Sequence, residues 1–292
     1  MKIFTQQTKP WAPWRRIVTP LKVDTQDLYA VIDTGSPYTQ LIWKKWYESS
    51  PERRCDELFY KCYGCNPSPI ADFYFYGVTV EDIVFGVVMD ASDGPWAALG
   101  LGPQATSPPF PRFVDQLVDA ELMMRELIIG GDDPSKHGDP LRYIDIIDKQ
   151  HHTSKLRIFG FGNEWQEELQ PVVFDTGSSF ISFPERLRSQ VLDLLSTAGT
   201  KKVEVTKEGE VYSVDCKDVD YLPTISFILQ GIETDVTIAI SPEAYLVSPE
   251  PEACIIHIHF DEGWILGLPA FVGHYYSFDW AGARIGVAKV KE

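Results

Sequence analysis

The chain is short of positive charge. Against 42 Asp and Glu it carries only 26 Lys and Arg, for a formal net charge of -16 and a pI near 4.8. A surface of that sign repels phosphate backbones and anionic bilayers, so no nucleic-acid or membrane partner is expected. Long apolar runs are missing too. The opening "MKIFTQQTKPWAPWRRIVTP" has none of signal-peptide length, and no later segment approaches the roughly 18 uncharged residues of a membrane span. The expectation is a soluble protein, either cytosolic or a mature form that has shed its targeting segment. There is no low-complexity linker. Gly100-Leu-Gly102 and Gly160-Phe-Gly162 lack the third glycine of a dinucleotide fingerprint. Cysteine is sparse and odd in number: Cys55, Cys62 and Cys65 early, Cys216 and Cys254 late. Cys62-x-x-Cys65 would open a zinc site, but no second pair at matching spacing completes it. The alternative is a disulfide in each group with one thiol left over, which requires an oxidising compartment. No metal and no cofactor are expected.

What the chain does have is apolar material cut into short pieces. Its 292 residues are 44% hydrophobic, enough for a large core, and 21 Pro with 21 Gly break them up. Runs rich in β-branched and aromatic residues recur between turns: "RIVTPLKV", "LYAVID", "ADFYFYGVTV", "DIVFGVVM", "KLRIFGF", "PVVFD", "KKVEVT", "TISFIL", "DVTIAI" and "RIGVAKV". Helical spacing is confined to "PRFVDQLVDAELM" and "PERLRSQVLDLLSTAG", the second with Pro184 at its start and Gly199 after its end. These patterns predict an all-β protein with a few short helices.

One element is written twice. "YAVIDTGSPYTQ" sets Asp33, Thr34, Gly35 and Ser36 after an apolar run, and "PVVFDTGSSFIS" repeats it with Asp175, Thr176, Gly177 and Ser178. Each is trailed by an apolar pair plus glycine, in "WAALGLG" and "GWILGLP". The echo predicts two related lobes, residues 1–128 and 129–292, divided near "IIGGDDPSKHGDP", with a cleft between them. A single Asp-Thr-Gly is a good turn sequence and nothing more. A carboxylate ending a buried strand is costly, however, and two of them brought close cannot both ionise easily. They would share a proton, one acting as general base toward a water and the other as general acid, as in the aspartic protease dyad that serves as the standard example of such splitting.

On these motifs the chain resembles the pepsin-like aspartic proteases. Asp33-Thr34-Gly35-Ser36 with Ala98-Leu99-Gly100, and Asp175-Thr176-Gly177-Ser178 with Ile265-Leu266-Gly267, match the two halves of that family's site, and the likeness covers nearly the whole chain. The resemblance implies a bilobal all-β fold acting as a monomer on a peptide or protein substrate. Asp33 and Asp175 would activate a water without a covalent intermediate. Thr34 and Thr176 would bond across the lobe interface, and Ser36 and Ser178 would bond the outer carboxylate oxygens. It also implies a Cys216–Cys254 disulfide and a secreted or vacuolar setting.

The family covers its cleft with a hairpin flap bearing Tyr-Gly near its tip, for which the candidate is Tyr63-Gly64 in "KCYGCNPSPIADFYFYG". That segment is short, and Asp33 and Asp175 are only 142 residues apart (175 minus 33). A clipped flap excludes water less well and implies weak or altered peptidase activity. A pepsin-like scaffold without peptidase activity, binding a partner or acting on a small molecule, is the second reading. Other residues carry less. His257 and His259 in "CIIHIHF" would share one face of a strand, with no third metal ligand near. Ser135, Lys136 and His137 read as a polar turn rather than a triad. Trp11 and Trp14, beside Arg15 and Arg16, read as aromatics buried under the N-terminal strand.

Overall fold

The computed structural model describes residues 4–7, 15–64, 70–75, 78–91, 94–103, 109–119, 132–148, 151–209, 211–248, 253–279 and 281–291. Trp11, Trp14, Cys65 and the boundary near residue 128 lie outside them. Its contacts divide the chain into two compact units, Met1–Gln6 with Arg16–Gly130, and Gln7–Arg15 with Gly131–Glu292. Both are built of strands, so the fold is all-β with a few short helices. Among the described residues no helix is long and apolar enough to cross a membrane.

The first unit is an eight-stranded sheet. Its path runs Val78–Val84, Ile70–Phe75, Arg15–Val23, Gln26–Asp33, Ala98–Gly100, Gln40–Ile42 and Gly86–Val88, with Phe4–Gln7 off this path against Arg15–Val23. "ADFYFYGVTV", which reads as one run, is thus two antiparallel strands. Ala30, Val31 and Ile32 are buried in succession, because both faces of the strand Gln26–Asp33 are covered. The second unit repeats the central pattern. Its seven-stranded sheet runs Val236–Ile240, Ile225–Leu229, Thr153–Phe161, Glu164–Phe174, Trp264–Leu266, Ile181–Pro184 and Ile258–Asp261.

In both units an antiparallel hairpin leads into the DTGS segment. Its second strand lies parallel to the apolar-apolar-Gly strand, and that strand lies antiparallel to the one after the motif. The sequence echo is therefore an echo of topology. The second unit adds a four-stranded sheet, in which Val211–Asp215 pairs with Ala253–Ile256, and a three-stranded sheet.

Of the two helical readings, "PRFVDQLVDAELM" forms Phe113–Asp119 within the described residues. The other forms Arg188–Thr197, entered through the 3-10 turn Glu185–Leu187, with Val191 and Leu195 turned into the core. "KKVEVT" is not a strand until Thr206. Val203 is buried as a single peg, and its N–H goes to the Ser196 carbonyl at 2.9 Å instead of to a ladder. Conversely the polar "EWQEELQ" is strand, carried by main-chain pairing with Thr153–Phe161. Cysteine resolves to Cys55–Cys62 and Cys216–Cys254. Cys62 is thereby no thiolate for a metal, and the described residues hold no group of three or more His, Cys, Asp or Glu suited to one.

Candidate functional site

Each DTGS loop begins where a buried strand runs out. In the first unit Asp33 is the last residue of Gln26–Asp33, opposite Gly100 of the parallel strand. Its Oδ1 accepts the N–H groups of Gly35 at 2.9 Å and Ser36 at 3.0 Å, so the loop bends back around the carboxylate and fixes its direction. Leu101 N–H donates to the Asp33 carbonyl at 2.7 Å and Gly102 N–H to the Ser36 carbonyl at 2.8 Å, tying the loop to the neighbouring strand. Thr39, which is buried, accepts the Gly100 N–H on its Oγ1 at 3.1 Å.

The second loop has the same construction. Asp175 follows Phe174 at the end of Glu164–Phe174, and its N–H donates to the Leu266 carbonyl at 3.1 Å. Its Oδ1 accepts the Gly177 N–H at 2.7 Å, and Leu268 N–H donates to the Ser178 carbonyl at 2.9 Å. Asp33 and Asp175 are both half-buried, while Thr34 and Thr176 beside them are buried. Each unit therefore presents one carboxylate at a strand end, oriented by its own backbone.

The glycine of each apolar-apolar-Gly strand now has a steric reason. A Cβ at Gly100 would sit 2.5 Å from the Tyr38 backbone, and one at Gly267 would sit 2.1 Å from the Phe180 carbonyl oxygen and 2.7 Å from that of Ser178. The strand passes so close beneath the loop that only hydrogen fits. Gly267→Ala is expected to lower stability by about 1–3 kcal/mol by forcing the loop off its strand. Gly263→Ala, where the added methyl meets nothing within 4 Å, should stay within about 0.5 kcal/mol of the parent. Thermal or urea melts of the two variants check this, and equal melts would mean that the loop is not seated as closely as the distances state.

Several expectations change. The serine hydroxyls make bonds within their own loops. Ser178 Oγ donates to the Phe180 carbonyl at 3.1 Å and accepts the Phe180 N–H at 3.3 Å, while Ser36 Oγ accepts the Tyr38 N–H at 3.2 Å. Both hydroxyls brace the next turn of their own loop. Tyr63 is not at an exposed tip. It is 3% exposed, bridged to Trp43, edge-on to Phe85, and its hydroxyl donates to Asp24 Oδ2 at 2.6 Å. Gly64 is clamped by Gln26, whose Oε1 accepts its N–H at 2.8 Å. Tyr63 is thus part of the core of the first unit, while Gly64 beside it is exposed.

His257 and His259 differ in burial, and the strand is interrupted at residue 257, although both rings lie against Phe180, at 5.0 and 6.0 Å. His257 is wholly buried, and His259 is exposed. Ser135 lies in a turn, bonded to Asp133, but the neighbouring His137 is buried and paired with Asp132. Sequence reading missed Thr39 and Phe180. The one available signal was a polar β-branched residue just before an apolar strand.

The family model described as eukaryotic aspartyl protease matches residues 111–290, which takes in the Asp175 loop and the Gly267 strand; Asp33 precedes the match. Among characterised proteins, gastricsin of Oryctolagus cuniculus is 28% identical over 173 residues, 56% of this chain and 42% of that protein. Cathepsin E-B of Xenopus laevis is 30% identical over 176 residues, 56% and 41% of the two chains. A renin of Echis ocellatus is 29% identical over 173 residues, with the same coverage. The matched stretch spans about two-fifths of the length of these relatives.

Proposed function

The chain belongs to the eukaryotic aspartyl protease family, and from that premise we propose that it is an aspartic endopeptidase whose catalytic groups are Asp33 and Asp175. One observation carries the reading. Two units of one topology each end a buried strand in Asp-Thr-Gly-Ser, and in each the oriented carboxylate sits above a glycine that nothing larger can replace. Such doubling has no use for a turn. It serves a reaction that needs two carboxylates in different protonation states.

In this mechanism the ionised aspartate takes a proton from a water, and the water oxygen attacks the peptide carbonyl carbon. The protonated partner hydrogen-bonds the carbonyl oxygen as it becomes tetrahedral. The carbon–nitrogen bond then breaks, the leaving amine takes a proton from the dyad, and a new carboxyl and a new amine depart. The N–H groups of Gly35 and Ser36 hold the Asp33 carboxylate and that of Gly177 the Asp175 carboxylate, while Thr34 and Thr176 would hold the two loops together and the Ser36 and Ser178 hydroxyls brace them. No cofactor enters, and the substrate is a peptide or protein bound by a monomer. With Tyr63 fixed in the core, it cannot close over that substrate, and the site would exclude water less fully than one with a mobile cover. Two disulfides suit an oxidising compartment.

The test is digestion of a denatured protein mixture from about pH 3 to pH 7, with and without a statine-type transition-state mimic, with the cuts mapped by mass spectrometry. Inhibitable cleavage between bulky apolar residues, strongest at the acid end, is the expected outcome. Folded protein that cuts nothing at any pH would remove the peptidase assignment.

A further inference from the structure

A cleft of about 460 Å³ opens on the second unit, lined by Arg188, Leu192, Ser196, Val205, Lys207 and Tyr212. None of these belongs to a DTGS loop. Arg188, Leu192 and Ser196 recur every fourth residue, so they form one face of the helix Arg188–Thr197. Lys207 and Tyr212 are direct cross-strand partners on the hairpin opposite.

The lining is rich in donors and poor in acceptors. Of the five N–H groups of Arg188, the Nε and one Nη2 proton go to the two oxygens of Glu185 at 2.7 and 2.6 Å, and one Nη1 proton goes to the Tyr212 hydroxyl. That leaves one N–H on each terminal nitrogen for an incoming carboxylate. The guanidinium lies over Phe260, with Cζ 4.7 Å from the ring centroid, and Glu185 fixes its direction. Tyr212 is 5% exposed and accepts from Arg188, which leaves its own O–H proton to donate. Lys207 brings an ammonium, with Nζ 5.9 Å from the centre of the Tyr212 ring. The Ser196 hydroxyl is spent on the Val203 carbonyl. After Glu185 offsets one cation, a net positive charge remains, on a protein whose total is -16. Beside it Leu192 and Val205 supply an apolar wall.

We propose that this cleft binds the C-terminus of a peptide whose last residue is apolar. The terminal carboxylate takes the Arg188 fork, the Tyr212 O–H and the Lys207 ammonium, and the last side chain lies on Leu192 and Val205. A bare phosphate would leave the apolar wall wet. A long alkyl tail would outrun two aliphatic side chains and stay exposed. One side chain beside one carboxylate fits both parts, and the inference does not depend on the chain being a peptidase.

The test is calorimetric titration at low salt and about pH 6, where a terminal carboxyl is ionised. The full chain should carry both Asp33→Asn and Asp175→Asn, so that no ligand is cut. The probes are acetyl-Gly-Gly-Leu as free acid, its C-terminal amide, decanoate and inorganic phosphate. The free acid is expected to bind, with the amide at least about tenfold weaker and Arg188→Gln losing about as much. Tyr212→Phe and Lys207→Gln, which remove one hydroxyl and one positive charge, should each weaken binding several-fold, and they carry the test if Arg188→Gln does not fold. The proposal is overturned by no binding of the free acid up to about 10 mM. It is equally overturned by equal affinity for acid and amide, by Tyr212→Phe and Lys207→Gln both binding as the parent does, or by decanoate or phosphate binding more tightly than the peptide.

Discussion

Asp175→Asn is expected to lower kcat/KM for a cleaved peptide by about 10⁴-fold or more, equivalent to roughly 5.5 kcal/mol of transition-state stabilisation, without unfolding the chain. The fold survives because asparagine keeps the shape and keeps an oxygen in the Oδ1 position, where it still accepts the Gly177 N–H now bonded at 2.7 Å. What goes is the proton chemistry. An amide neither takes a proton from water near neutral or acid pH nor returns one to a leaving amine. Asp33→Asn should behave alike, since Asp33 Oδ1 holds the N–H groups of Gly35 and Ser36 in the same manner. If the two act as one unit, the double variant loses no more than either single one, because the second substitution removes a partner already idle. Steady-state rates on one peptide, paired with thermal melts, decide the matter. Parent-like turnover in either single variant ends the dyad assignment, and losses that add in the double variant end the idea of a shared proton.

The parts of this molecule legible in its sequence are those written by local physics. Asp33 and Asp175 announce themselves because a charge directly after "AVI" or "VVF" is a costly place for a carboxylate. Gly100 and Gly267 do so because a backbone passing within 2.1 to 2.5 Å of a would-be Cβ admits no other residue. The illegible parts are decided at a distance. Tyr63 beside Gly64 looks like a hairpin tip until its hydroxyl is found on Asp24, 39 residues earlier. The polar segment 164–170 becomes strand by pairing antiparallel with "TSKLRIFGF", a partner that its own polar pattern does not announce. Alternation alone does not tell that His257 is wholly buried and His259 exposed, since the strand is interrupted at residue 257. Choosing Cys62 as the partner of Cys55 required knowing that their Cα atoms lie 5.4 Å apart.

Removing the Cys216–Cys254 bridge is expected to have a large effect on stability. Its half-cystines are 38 residues apart, and closing a loop of that length restricts the unfolded chain by about 4 kcal/mol at 25 °C in chain-entropy terms. Cys55 and Cys62 are only 7 apart, which gives about 2.5 kcal/mol by the same rule. The folded side of the balance changes little. Cys254 is already fixed opposite Val214 by the ladder between Val211–Asp215 and Ala253–Ile256, and it packs within the core of the second unit. Combining Cys216→Ser with Cys254→Ser should therefore destabilise the second unit by about 4 kcal/mol, somewhat more if the hydroxyl introduced at position 254 is buried without a partner. Combining Cys55→Ser with Cys62→Ser should cost distinctly less, and it should act on the first unit. Urea unfolding of both variants, followed with and without reductant, separates these effects, since reductant opens both bridges and should bring the parent and the two variants to one common level. A 216/254 variant that loses less than the 55/62 variant would mean that the unfolded chain is not what this bridge restrains, and that its role lies in holding the start of the 3-10 segment Cys216–Tyr221 against the sheet.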